Sequence, residues 1–194
     1  MRWSPDEGFY LLERHLLRLR ESAEYFGFQY ADGHVTEELQ RSVAGAREPL
    51  RVRLRLACTG AATVECTALP VSDRSVRVKL SDLPVSRDDV FLFHKTTNRA
   101  VYDRARSPDA DDVLLWNRER ELTESTIANV VCELDGARVT PPIECGLLGG
   151  TFRSELLDRG EISERVVTVD DLRRVTRLWL INSVQRWRPA AVAV

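Results

Sequence analysis

Arg51-Val52-Arg53-Leu54-Arg55-Leu56 alternates polar and apolar residues at every step, and Ser75-Val76-Arg77-Val78-Lys79-Leu80 does the same. Only an extended strand with one wet face and one buried face satisfies such a pattern. Thr63-Val64-Glu65-Cys66-Thr67-Ala68 lies between them, and Thr59-Gly60 suits a turn between the first pair. Two helical segments precede these strands. Over Leu11 to Phe26, the residues Leu12, Leu16, Leu19, Ala23 and Phe26 recur at three- and four-residue steps, and Gly27 supplies a stop. Thr36 to Arg47 reads as a second helix, with Thr36 as its N-cap. Residues 1–83 are therefore expected to form a small unit of helices on an antiparallel sheet.

Asp82-Leu83-Pro84 marks a linker, and residues 84–194 read as strand-rich. Val90 to His94 is expected to be a short buried strand and Asn98 to Arg106 a helix. Asp112 to Asn117 and Ser125 to Glu133 read as a hairpin around Arg118-Glu119-Arg120, and Asp135-Gly136 as a further turn. Thr151 to Arg159 is a helix stopped by Gly160, Arg165 to Val169 and Arg177 to Ile181 are strands, and Asp170 to Arg174 is a helical turn. The fold class expected is α+β in two domains, 1–83 and 84–194.

With a net charge of −2 over 194 residues, nothing marks a nucleic-acid partner. No apolar run reaches membrane-spanning length, so the expected compartment is the cytoplasm. Cys58, Cys66, Cys132 and Cys145 lack metal-site spacing and read as small core residues, with no metal expected.

Lys79 and Lys95 are the chain's only lysines. Lys95 ends the apolar run Val90-Phe91-Leu92-Phe93-His94. A partly desolvated lysine can offer a neutral amine to a carbonyl; a lysine whose stem packs while its head reaches water fits the same run. Glu124, between a turn and a buried strand, could pair with a protonated ring nitrogen or be a solvated hairpin residue. Gly149-Gly150 before a helix lets backbone approach an anion, although most such turns bind nothing. Asn182-Ser183 after a strand and Arg18 on the first helix are further candidate phosphate donors, each with an ordinary structural reading beside it. Together these residues are the parts of a pyridoxal-phosphate site. Tyr102, Arg99 and Arg53 are candidate substrate contacts that fit a structural role equally well.

The stretches His15-Leu-Leu-Arg18-Leu, Phe93-His-Lys95-Thr-Thr-Asn98-Arg99, Leu122-Thr-Glu124-Ser-Thr-Ile-Ala-Asn129, Gly146-Leu-Leu-Gly-Gly150-Thr-Phe-Arg153 and Asn182-Ser183 occur in the order found in one family. By these stretches the chain resembles the class IV pyridoxal-phosphate aminotransferases, which include branched-chain and D-amino-acid aminotransferases and aminodeoxychorismate lyases. His94-Lys-Thr-Thr-Asn-Arg-Ala-Val-Tyr-Asp103 and Leu180-Ile-Asn-Ser-Val-Gln-Arg-Trp187 are most similar to the lyase-like domain fused to para-aminobenzoate synthase component I.

The resemblance implies a D-amino-acid aminotransferase-like fold, with a small helix-on-sheet domain and a barrel-like larger domain. It implies pyridoxal 5'-phosphate as cofactor, with Lys95 carrying the Schiff base and Glu124 on the ring nitrogen. Arg18, Asn129, Gly150, Thr151, Phe152, Asn182 and Ser183 would complete the cofactor site. The activity implied is cleavage of 4-amino-4-deoxychorismate to 4-aminobenzoate and pyruvate; the alternatives are transamination of a branched-chain or D-amino acid, or a truncated homologue with little activity. The partners implied are a small-molecule substrate, a second copy in a homodimer, and a para-aminobenzoate synthase component. Relative to the family, the small domain is expected to lack its first strand, Gly149 replaces a common proline or alanine, and the Arg118-Glu119-Arg120 hairpin lacks a glycine.

Overall fold

The computed structural model describes residues 1–70 and 74–193. They divide into two compact units: Met1–Ser72 with Ser183–Gln185, and Asp73–Asn182 with Arg186–Val194.

In the smaller unit, strands β1 (Arg2–Ser4) and β2 (Gly8–Phe9) precede helices α1 (Leu12–Tyr25) and α2 (Asp32–Ser42), followed by strands β3 (Leu50–Leu56) and β4 (Ala62–Ala68). The sheet is antiparallel, in the order β2-β1-β3-β4. β1 holds an interior position, and the Met1 ammonium donates to the Val52 carbonyl at 2.7 Å. The alternation of β3 works as expected. Val52 is buried with Leu16, Val35, Leu39 and Val43, while Arg51, Arg53 and Arg55 face solvent. Each such Leu or Val side chain removed from water contributes about 1.5–3 kcal/mol. Gly27, at φ 67°, ends α1, and the next amide, Phe28 N–H, bonds back to the Ala23 carbonyl at 2.7 Å.

The second helix starts four residues before the expected Thr36 cap. Val35 and Leu39, one turn apart and both fully buried, extend the apolar stripe upstream, and the Tyr30 hydroxyl holds Asp32 in the first turn at 2.7 Å.

The larger unit runs through β5 (Val76–Leu80), α3 (Val90–Phe93), α4 (Ala100–Ala105), β6 (Asp112–Trp116), β7 (Leu122–Ser125), β8 (Asn129–Leu134), β9 (Ala137–Thr140), α5 (Thr151–Asp158), β10 (Ser163–Glu164), β11 (Arg177–Asn182) and β12 (Arg186–Val192). The strand order is β10-β9-β8-β11-β12-β5-β6-β7, and β7 also pairs with β8. That last pairing closes β8, β11, β12, β5, β6 and β7 into a six-stranded barrel, with β9 and β10 as an extension. Val76, Val78, Leu114, Leu122, Val130, Cys132, Leu178 and Leu180 recur at alternate strand positions and form one buried core. The opposite face of β6, Val113 and Leu115, packs with Leu92 of α3 and Tyr102 of α4. β6 is thus buried on both sides, as its unbroken apolar run requires.

Several expectations change here. β5 was expected to join the antiparallel sheet of the first unit, but it runs parallel to both β6 and β12; alternation reveals a strand, not its neighbours. Val90–Phe93 is a turn of helix rather than a strand, because Asp89 caps it by accepting from Phe91 N–H at 3.0 Å. Ser125 to Glu133 is not one strand but the end of β7, a tight turn, and β8. The strand expected over Arg165 to Val169 falls instead at Ser163–Glu164. β12, which no pattern announced, carries Pro189 and pairs antiparallel with β11. Cys132 and Cys145 are buried as expected, but Cys58 is exposed, since it sits in the turn after β3.

Candidate active site

Glu124 lies on β7, where every residue is buried, and its own exposure is 4%. Oε1 accepts from the Tyr102 hydroxyl at 2.8 Å and from Leu148 N–H at 3.2 Å. Oε2 accepts from Asn129 Nδ2 at 3.4 Å. All these donors are neutral. Burial lifts the carboxyl from its ordinary 4.5 to about 7, against the opposing pull of the Tyr102 bond, the Lys95 ammonium, the Leu148 amide and Arg99. A desolvated carboxylate with one weakly engaged oxygen is suited to a cationic N–H donor.

Lys95 lies between α3 and α4, exposed, with its ammonium close enough to act on Glu124. The strand mouth expected for it is therefore replaced by an inter-helix loop. Asn129 opens β8 and also donates to the Leu148 carbonyl at 2.8 Å. A Cβ on Gly150 would lie 1.9 Å from Asn129 Oδ1, so only glycine fits there. Gly150 is the N-cap of α5, and the buried Thr151 and Phe152 are its first residues. Amides in a helix's first turn have no carbonyl partner within the helix. Arg153, 1% exposed, anchors α5 from below by donating to the Pro141 carbonyl at 2.8 Å and pairing with Glu164 at 2.5 Å. Asn182 ends β11, and Ser183 follows it, buried. Arg18 stands half-buried on α1 of the smaller unit.

Tyr102 was weighed as a substrate contact or a structural residue. Its hydroxyl is a partner of Glu124, with the Arg99 guanidinium 4.6 Å above its ring. The only hint in sequence is that a tyrosine among Val101 and Ala105 on a helix face needs a partner for its hydroxyl once buried. The Leu148 amide carried no signal at all.

The family model of the class IV aminotransferases matches residues 1–192. The chain belongs to the class IV aminotransferase family. This is a family of enzymes. Among relatives, a Schizosaccharomyces pombe (strain 972) protein provisionally named aminodeoxychorismate lyase is 30% identical over 192 residues, covering 93% of this chain and 83% of that protein. Among solved structures, a Mesorhizobium loti protein provisionally named an amino-acid aminotransferase superposes with a TM-score of 0.93 at 38% identity, covering 100% of this chain and 97% of that one. The 4-amino-4-deoxychorismate lyase of Pseudomonas aeruginosa shares the fold, with a TM-score of 0.75 at 23% identity over 94% of this chain and 77% of its own. In this class IV chain, no helix among the described residues is long and apolar enough to cross a membrane. Among the described residues, no group of three or more His, Cys, Asp or Glu is placed to hold a metal ion.

Proposed function

We propose that the chain is a pyridoxal-phosphate lyase that converts 4-amino-4-deoxychorismate to 4-aminobenzoate and pyruvate. The observation that carries the cofactor is the buried Glu124 carboxylate, whose Oε2 accepts only a long 3.4 Å bond from Asn129, near Lys95 and close to the start of α5. The lyase reading is supported by the S. pombe relative and by the likeness of the Lys95 and Asn182 stretches to fused lyase domains.

Pyridoxal phosphate, when bound, supplies a conjugated ring that accepts an electron pair from the substrate carbon. Glu124 would keep the ring nitrogen protonated. Lys95 Nζ would hold the cofactor's aldehyde carbon until the substrate amine displaces it. The freed Nζ would then take the proton from the carbon bearing that amine. The enolpyruvyl group would leave with its bonding pair, and protonation would release it as pyruvate. Asn182 and the first amides of α5 would bind the phosphate. Asn129 and Gly150 would shape that turn. A homodimer is part of this reading, and light scattering of the purified protein tests it.

The test is direct: 4-amino-4-deoxychorismate plus protein and cofactor should yield 4-aminobenzoate and pyruvate in equal amounts. The Mesorhizobium neighbour supports a second reading, transamination of an amino acid. In that case an amino acid alone converts the cofactor's visible absorption, a 2-oxo acid restores it, and no 4-aminobenzoate forms.

A further inference from the structure

Lys95 and Glu124 come from different parts of the chain, and Tyr102 joins them. Tyr102 sits on α4, directly after the Lys95 loop, and its hydroxyl reaches across to Glu124 Oε1 on β7 at 2.8 Å. Its exposure is 7%, and its ring packs with Leu92, Val113 and Leu115. The Arg99 guanidinium caps the ring at 4.6 Å and donates to the Thr126 carbonyl at 2.5 Å, just beyond β7. The Lys95 loop is thus pinned at its far end to Glu124 and to the first residue of the turn that follows β7.

We propose that Tyr102 is a positioning residue: by occupying Glu124 Oε1 it turns Oε2 toward the cofactor's ring nitrogen and sets the register of the Lys95 loop against β7. The proposal rests on the cofactor reading above. A phenol donates more strongly to an ionised carboxylate than to a protonated one. Tyr102 therefore favours the charged form of Glu124, the form that pairs with a protonated ring. Lys95 and Arg99 act in the same direction, whereas burial opposes all three. Burial first, then the Glu124 carboxylate and, more weakly, Asp89 at the start of α3 keep the phenol protonated and donating, against the opposing pull of Arg99.

The test is Tyr102→Phe, which keeps the ring and removes the donor. Thermal unfolding of the cofactor-free protein is measured at about pH 5.5 and about pH 8.5. The drop in Tm should be larger at the higher pH by roughly 5 °C, because the bond lost there is to a charged acceptor. In a Glu124→Gln background, that pH-dependent part should vanish. Uptake of pyridoxal phosphate, followed by its visible absorption, should weaken about ten-fold at the higher pH. A Tm drop equal at both pH values, with unchanged uptake, would overturn the proposal and leave Tyr102 a packing residue. If the unmodified protein takes up no pyridoxal phosphate, the cofactor reading falls, and the pH profile alone then decides whether Tyr102 governs Glu124.

Discussion

Asn129 Oδ1 occupies the space in which any side chain at position 150 would begin, 1.9 Å from where the first carbon of that side chain would stand. Asn129 cannot retreat freely, since its amide nitrogen holds the Leu148 carbonyl at 2.8 Å. Gly150→Ala should therefore cost about 2–4 kcal/mol and abolish cofactor uptake. Gly149→Ala is the contrast: its new carbon would meet only Ile143 Cδ1 at 3.5 Å, an ordinary contact. Its stability should change by less than about 1 kcal/mol. Chemical denaturation of both variants checks the pair.

Lys95→Ala should abolish product formation while the protein stays folded. The side chain is exposed, so stability should move by no more than about 0.5 kcal/mol. Product assay beside a melting curve decides it: near-normal turnover in the folded variant removes Lys95 from the chemistry.

The pH dependence of the cofactor-free protein should carry the mark of Glu124. Its folded value, about 7, lies above its ordinary 4.5, so the folded state binds the extra proton between them. Below about pH 4.5 this group is protonated in both states and costs nothing. As the pH rises through about 7, the contribution is lost, by about 3 kcal/mol. Glu124→Gln should flatten that decline. Urea unfolding across the range measures it, and an equal decline in the variant would assign the slope to other groups.

Arg120 adopts φ 62° in the turn between β6 and β7, a left-handed conformation that glycine enters without strain. The hairpin that lacked a glycine in sequence therefore holds an arginine in a glycine's conformation. Its ion pair with Asp170, at 3.1 Å, is exposed on both sides and contributes little. Arg120→Gly should stabilise the protein by roughly 0.5–1 kcal/mol. A lower melting temperature in the variant would show that the ion pair outweighs the strain.

α1, β3 and the stop at Gly160 were legible in the sequence because one periodicity or one residue decides each of them. The turn between β7 and β8 was not. It contains neither glycine nor proline, and side chains build it. Ser125 Oγ accepts from Ala128 N–H at 3.0 Å, and Asp112, across on β6, takes the Thr126 hydroxyl at 2.6 Å. A turn held from a distant strand leaves no local signal. The same limit applies at the site. Glu124 and Gly150 could be named from motifs, but Tyr102's role depends on α4 packing against β6, a contact no spacing encodes. Lys95 was singled out from a local premise that the structure overturns, since four apolar residues suit a helical turn as well as a strand.

The barrel closes where β7 meets β8, and the registered pair across that seam is Glu124 with Asn129. The stitch that completes the barrel is thus made from residues of the candidate site. Breathing at this seam cannot occur without pulling Glu124 and Asn129 apart. Any ligand gripping Glu124 would also rivet the cylinder shut. Its footprint in amide exchange should then extend around the wall to strands that never touch it.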